Sequence, residues 1–311
     1  MFPCKITISG CLCNYQATQS IYVAASILFI AHVEGLQRQI PGVRNPMTLT
    51  VLSITTLISM VPAMLVAFRR TPRRDGIFWA GLAVAICGTL VLVLLRQSSG
   101  WKTGLSTALW LTILACLVLY VVVANISEDS WRLAPLLLPY LFLLGILATM
   151  WSHSPDQPML NKAPVAWMGT HIIVSVATYG LITLAAVAAL AAAMQARALK
   201  HKSRTVLSRL LPPVRSSEKL VLQLLMAGEI VLATGLVTGM ASLYFTTGKF
   251  LIIDHKTTFT FMVFVVVGIL LISNYRSGAR GKSVTQMVLF SYLLLTLGYP
   301  GVKLVTDFIL Y

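Results

Sequence analysis

Apolar residues fill this chain in long unbroken runs, without the alternating or one-sided patterns of a soluble fold. Hydropathy picks out nine such runs, at about 16–36, 48–68, 77–96, 104–124, 131–151, 167–197, 218–243, 256–273 and 284–309. Each suits a helix crossing a hydrocarbon layer of about 30 Å, and each is too long for the roughly ten-residue strands of a membrane barrel. The pattern predicts an all-α, polytopic transmembrane helix bundle of nine spans. Met47 opens the second run just after Pro41 and Gly42, so translation from Met47 leaves eight. Residues 1–46 therefore read as an N-terminal extension with one extra candidate span, and residues 47–311 as the membrane domain.

The sixth run is overlong: its thirty-one residues would extend about 46 Å as a helix, which predicts either a strong tilt or an end projecting from the membrane. Its stretch Ala185-Ala186-Val187-Ala188-Ala189-Leu190-Ala191-Ala192-Ala193 puts small residues on every face. Gly235 and Gly239, four apart on the seventh run, do the same on one face. Small residues let helix backbones approach closely in lipid, so close packing is expected of both stretches.

Composition agrees: hydrophobic residues make up 57% of the chain and charged residues 11%, with a mean hydropathy of +0.84. The formal charge of +15 would suggest nucleic acid for a soluble chain; in a lipid-embedded one, basic cytoplasmic loops account for it and no nucleic-acid partner is expected. Arg69, Arg70, Arg73 and Arg74, then the basic run from Arg197 to Lys219, then Arg276, Arg280 and Lys282 all fall on even-numbered connections. With the N-terminus inside and the C-terminus outside, sixteen of the 24 lysines and arginines lie on the cytoplasmic side. The five cysteines form no disulfide framework, since Cys87 and Cys116 fall within spans and Cys4, Cys11 and Cys13 in the short leader.

Candidate chemistry gathers at the outer mouth of the bundle. His171 and His255 each stand within a turn or two of a predicted helix start there, where a neutral imidazole can face an interior pocket. Ser175 follows His171 at four residues and Tyr179 at eight, continuing near the same face. Ser175 or a nearby carbonyl would hold the second imidazole nitrogen of a ligating His171. Two such imidazoles suit the axial positions of haem iron, another metal or a proton relay; equally, they suit plain hydrogen bonding between helices. Glu229 lies mid-span, where an unpaired carboxylate costs about 2.5–3.5 kcal/mol on insertion scales. It reads either as a hydrogen-bonded structural acid or as a proton or cation site. Trp101, Trp151 and Trp167 mark the outer interface as an aromatic belt would. No Walker loop, HExxH, CxxCH or paired carboxylates occur, so no enzyme active site is expected.

The stretch Trp167-Met168-Gly169-Thr170-His171-Ile172, with Ser175, Tyr179 and Gly180, resembles the histidine-bearing helix of the cytochrome c assembly family, which includes the CcsA, ResC, CcmC and HemX-like proteins. The resemblance continues through Asp254-His255-Lys256-Thr257, through Arg276 to Lys282, and through Gly298-Tyr299-Pro300-Gly301, and is nearest the YpjD-like branch of eight-span proteins. It implies a bacterial inner-membrane protein, with haem as the cofactor and His171 as an axial ligand. Two departures stand out. The segment Phe245-Thr246-Thr247-Gly248-Lys249-Phe250 has no tryptophan where haem exporters carry a tryptophan-rich WWD loop, and Asn274 stands where members carry a histidine. Two readings follow: a protein that handles haem at the outer face through His171 and His255, or a non-catalytic membrane partner or regulator with no haem of its own. A third, a solute transporter working through Glu229, lacks the broken helices and inverted repeat of such sites.

Overall fold

The computed structural model describes residues 46–69, 74–97, 104–153, 165–202, 206–248, 252, 254–278 and 281–301. Four helices come first: α1 (Pro46–Ala67), α2 (Gly76–Gln97), α3 (Leu105–Ile126) and, after a 3-10 turn at Ser130–Leu133, α4 (Ala134–Met150). They are followed by α5 (Val165–Lys200), a short α6 (Val206–Leu210), α7 (Val214–Thr247), α8 (His255–Ser277) and α9 (Lys282–Thr296), which runs into a π-helical turn at Leu297–Gly301. Apart from the first residues of α1, these elements belong to one compact unit, Thr50–Tyr311.

Among the described residues, seven helices are long and apolar enough to cross a membrane, against the nine spans expected. The run at 16–36 lies outside the described residues. The run at 284–309 is the correction: α9 has 15 residues and its regular helix stops at Thr296. Gly298 and Pro300 follow at once. There the regular helix gives way to the π-helical turn at Leu297–Gly301.

α3 and α5 form the interior. Trp110, Ile113, Cys116, Leu117 and Tyr120 of α3 are fully buried, and α5 packs against α3, α7 and α9. The alanines of α5 behave as small residues should: Ala185, Ala188, Ala189 and Ala191 are buried. α7 lies along α5 on a glycine stripe, with Gly228 against Leu181 and Ile182, Gly235 against Val174, and Gly239 against His171. A Cβ at Gly239 would crowd the His171 ring at 3.0 Å, whereas at Gly228 and Gly235 it would make ordinary contact. At the other edge, Gly81 of α2 sits so close to Ala63 of α1 that a Cβ would lie 3.1 Å from the Ala63 Cα.

α5 and α7 have 36 and 34 residues, about 54 and 51 Å at 1.5 Å per residue, so both overrun a hydrocarbon core of about 30 Å. The described part of their connection, residues 206–213, is packed and hydrogen-bonded. Leu210 and Leu211 are buried, and Arg132 donates from Nε to the Leu210 carbonyl (3.1 Å) and from Nη2 to the Arg209 carbonyl (2.9 Å). Gln195 donates to the carbonyls of Ser208 (2.7 Å) and Leu211 (3.1 Å). Helix chain direction gives the bundle two distinct ends: one carries the starts of α5 and α8 and the end of α7, the other carries Arg132 and the α5–α7 connection.

Candidate functional site

His171 lies six residues into α5, about one and a half turns below the helix start. Its ring is half-buried and lies against α7, with Gly239 beneath it: a Cβ on that glycine would lie 3.0 Å from the His171 Cε1. Glycine there is what lets the imidazole reach the α7 backbone.

The imidazole Nδ1 is 3.3 Å from the Thr238 hydroxyl. That hydroxyl has one proton, and it is directed at its own helix, to the carbonyls of Thr234 (3.0 Å) and Gly235 (3.1 Å). Toward the histidine, Thr238 Oγ1 is therefore an acceptor, and His171 donates through Nδ1–H. The network assigns the neutral tautomer that keeps the lone pair on Nε2.

Ser175, expected on the same face, has an exposed side chain, and the oxygen beside Nδ1 belongs to Thr238 instead. Tyr179, two turns further along α5, faces another direction. It is buried, and its hydroxyl meets those of Thr296 (3.2 Å) and Tyr292 (3.5 Å) on α9. Tyr292 in turn hydrogen-bonds the Tyr140 hydroxyl of α4. The rings of Tyr140 and Tyr179 both meet that of Tyr292 edge-on, at centroid distances of 6.3 and 6.0 Å. This knot of three tyrosines joins α4, α5 and α9 and is separate from the His171 contact.

His255 is the first residue of α8, whose start is capped by Asp254: the carboxylate accepts from the Thr257 backbone N–H (2.8 Å) and hydroxyl (2.7 Å). The His255 side chain lies outside the described residues. Its backbone starts at the same end of the bundle as His171, because α7 brings Thr238 and Gly239 to His171, ends at Thr247, and leads to α8 in seven residues. Trp167 and Phe245 also meet at this end, with ring centroids 6.2 Å apart. Asn274 lies in the last turn of α8, where its carbonyl accepts from the Gly278 N–H (2.9 Å), and so at the opposite end from His171. Glu229 is near the middle of α7, with its carboxyl against Gly268 of α8.

Among the described residues no three histidine, cysteine, aspartate or glutamate side chains gather as a metal cluster. A haem iron needs less from the protein, one or two imidazoles, because the porphyrin supplies the other nitrogens. His171 is an imidazole held against α7 through its contact with Thr238.

Sequence reasoning missed Thr238, Tyr140 and Tyr292. Thr238 carries a faint signal, a hydroxyl beside the Gly235–Gly239 face of α7; the two tyrosines are lone polar residues in apolar runs.

Comparison with known proteins points one way. A family model described as "Cytochrome C assembly protein" matches residues 76–310. An Azospirillum brasilense protein, described as an uncharacterized 28.8 kDa protein in a nifR3-like 5' region, is 47% identical over 265 residues, which are 84% of this chain and 98% of that protein. Inner membrane protein YpjD of Escherichia coli K12 is 26% identical over 242 residues, 76% of this chain and 88% of that one. Among solved structures, "Cytochrome c Heme Lyase CcmF" superposes with a TM-score of 0.55 at 16% identity, over 86% of this chain. This chain spans half the length of that protein, and the likeness is one of fold.

Proposed function

The chain belongs to the cytochrome c assembly protein family as a multi-pass inner-membrane protein, and from that premise we propose that it holds haem at the end of the bundle where α5 and α8 begin. The observation that carries this reading is the contact of His171 Nδ1 with the Thr238 hydroxyl, 3.3 Å. A ligating histidine donates its second N–H to an acceptor, which fixes the ring and leaves the other nitrogen to bind metal. Thr238, beside Nδ1, would be that acceptor, leaving Nε2 as the nitrogen to bind.

His171 would hold the haem iron through one imidazole nitrogen, and His255, at the head of α8, would offer a second. Thr238 orients the first ring, and Gly239 clears the space it occupies. Trp167 and Phe245 supply aromatic surface at the same end. Bound there, haem supplies a redox-active iron and an apolar, planar body suited to handing on. The protein's own contribution is to bind and orient, and no bond-making step is assigned to its residues. Charge supports an orientation with the His171 end outside: Arg69, Arg132, Arg197, Arg209, Arg215 and Arg276 lie at the other end, and basic residues favour the cytoplasmic side.

The test is haemin titration of the purified protein followed in the Soret region. The reading expects a saturable shift that is lost in His171→Ala and retained in Ser175→Ala. A protein indifferent to haemin overturns it.

A second reading, a non-catalytic membrane partner of another membrane protein or of haem synthesis, draws support from Asn274 and from the absence of tryptophan in residues 245–250. It predicts that one stable partner co-purifies equally well with the His171→Ala protein.

A further inference from the structure

Glu229 is a carboxyl without a counterpart. It sits near the middle of both α7 and α8, far from either end of the bundle. Its Oε1 occupies the notch left by Gly268, where a Cβ would lie 3.3 Å away. Its Oε2 is buried and, among the described residues, has no hydrogen-bond partner. Buried structural acids are hydrogen-bonded as a rule, because nothing else repays the loss of water. The elements packed against this one offer little. On α7 no titratable residue lies within a turn, from Leu225 to Ala233, and on α8 none lies between Phe264 and Ile272. From α5, Leu181 and Ile182 meet the neighbouring Gly228, and the nearby Tyr179 directs its hydroxyl to Thr296 and Tyr292 on α9.

An ionised carboxylate finds no hydrogen-bond donor for Oε2 among the described residues, and hydrocarbon disfavours the charge. The neutral acid is not locked either, because the glycine notch admits the carboxyl without gripping it. α8 is the least enclosed of the candidate membrane helices, and Met226 and Ile230, beside Glu229, face outward. We propose that Glu229 is a membrane-embedded proton-binding site, a carboxylic acid seated against Gly268 that takes up and releases its proton through the seam between α7 and α8. The step is acid dissociation alone, with the proton passing to water and the carboxylate left on the protein.

The experiment uses the full chain in lipid nanodiscs. Infrared spectra should show a protonated-carboxyl C=O stretch that shifts in D2O, fades as bulk pH is raised, and is missing in Glu229→Gln. Dicyclohexylcarbodiimide, which enters membranes and reacts with protonated carboxyls, should modify the peptide carrying Glu229. Labelling should fall by about tenfold per pH unit above the midpoint, and should slow in Gly268→Leu, which fills the notch. Because the modified peptide is located in the wild-type protein, the result does not depend on the Gln variant folding. A C=O stretch insensitive to D2O and pH, or carbodiimide that leaves Glu229 unmodified, overturns the proposal. Haemin binding is a separate readout at the other site, so failure of one reading leaves the other standing.

Discussion

His171 on α5 and Thr238 on α7 are joined by a hydrogen bond of 3.3 Å in which the threonine, its proton already directed to the Thr234 and Gly235 carbonyls, accepts. Removing the acceptor without removing its bulk isolates this relationship. Thr238→Val should lower haem affinity by about 10–100-fold, the usual loss when the group behind a ligating histidine is removed. Thr238→Ser should restore most of it. Equal haemin titration curves for wild type and Thr238→Val would refute the assigned tautomer.

Gly239 acts on the same ring by its lack of a side chain. A Cβ there would approach the His171 Cε1 to 3.0 Å, so Gly239→Ala must move the ring or part the helices. Overpacking of this kind costs about 1–3 kcal/mol. The expected outcome is a lower thermal midpoint in detergent together with weakened haemin binding. Gly235→Ala, whose Cβ would lie an ordinary 3.4 Å from Val174, should be milder in both.

The tyrosine knot offers a stability test away from the histidine. Tyr140 and Tyr292 share a hydrogen bond between α4 and α9, and Tyr179 joins them from α5. Tyr140→Phe removes one contact of the Tyr292 hydroxyl, which keeps that with Tyr179, and should cost about 0.5–1.5 kcal/mol. The double variant Tyr140→Phe/Tyr292→Phe should cost less than the two single changes added together, since it removes both ends of one bond. Additive denaturation midpoints would show that the two hydroxyls do not cooperate.

How far these features were legible in the sequence follows from what each depends on. The bounds of α2 and α3 were readable to within two residues, 77–96 against Gly76–Gln97 and 104–124 against Leu105–Ile126, because solvent transfer alone decides where an apolar span ends. The ends of α5 and α7 were not, since residues such as Arg197 and Arg215 continue a helix beyond the hydrocarbon, where hydropathy no longer tracks structure. At α9 an apolar composition conceals the change after Thr296 to the π-helical turn Leu297–Gly301. His171 stood out by its depth in an apolar span. Its partner did not: the pairing of His171 with Thr238 exists only once α5 and α7 are laid together on Gly228, Gly235 and Gly239, and a lone sequence gives no register between helices 67 positions apart. Ser175, reached by counting four residues along one helix, was the local answer to a question settled across two.

At the other end of the bundle, Arg132 works as a clamp. Its guanidinium donates to the carbonyls of Leu210 and Arg209, in the last turn of α6, while Gln195 donates to those of Ser208 and Leu211 from the α5 side. The connection between the two longest helices thus has its carbonyls satisfied from both flanks, with Leu210 and Leu211 buried beneath. A lysine at 132 carries the charge but offers a single nitrogen centre in place of the two used here. Arg132→Lys should therefore loosen the connection while leaving net charge and topology unchanged. The expected result is faster limited proteolysis between Lys200 and Val214, a small fall in thermal stability of about 1 kcal/mol, and unaltered haemin binding at the far end. Cleavage at the wild-type rate would mean that Gln195 and the buried leucines hold the segment without the arginine.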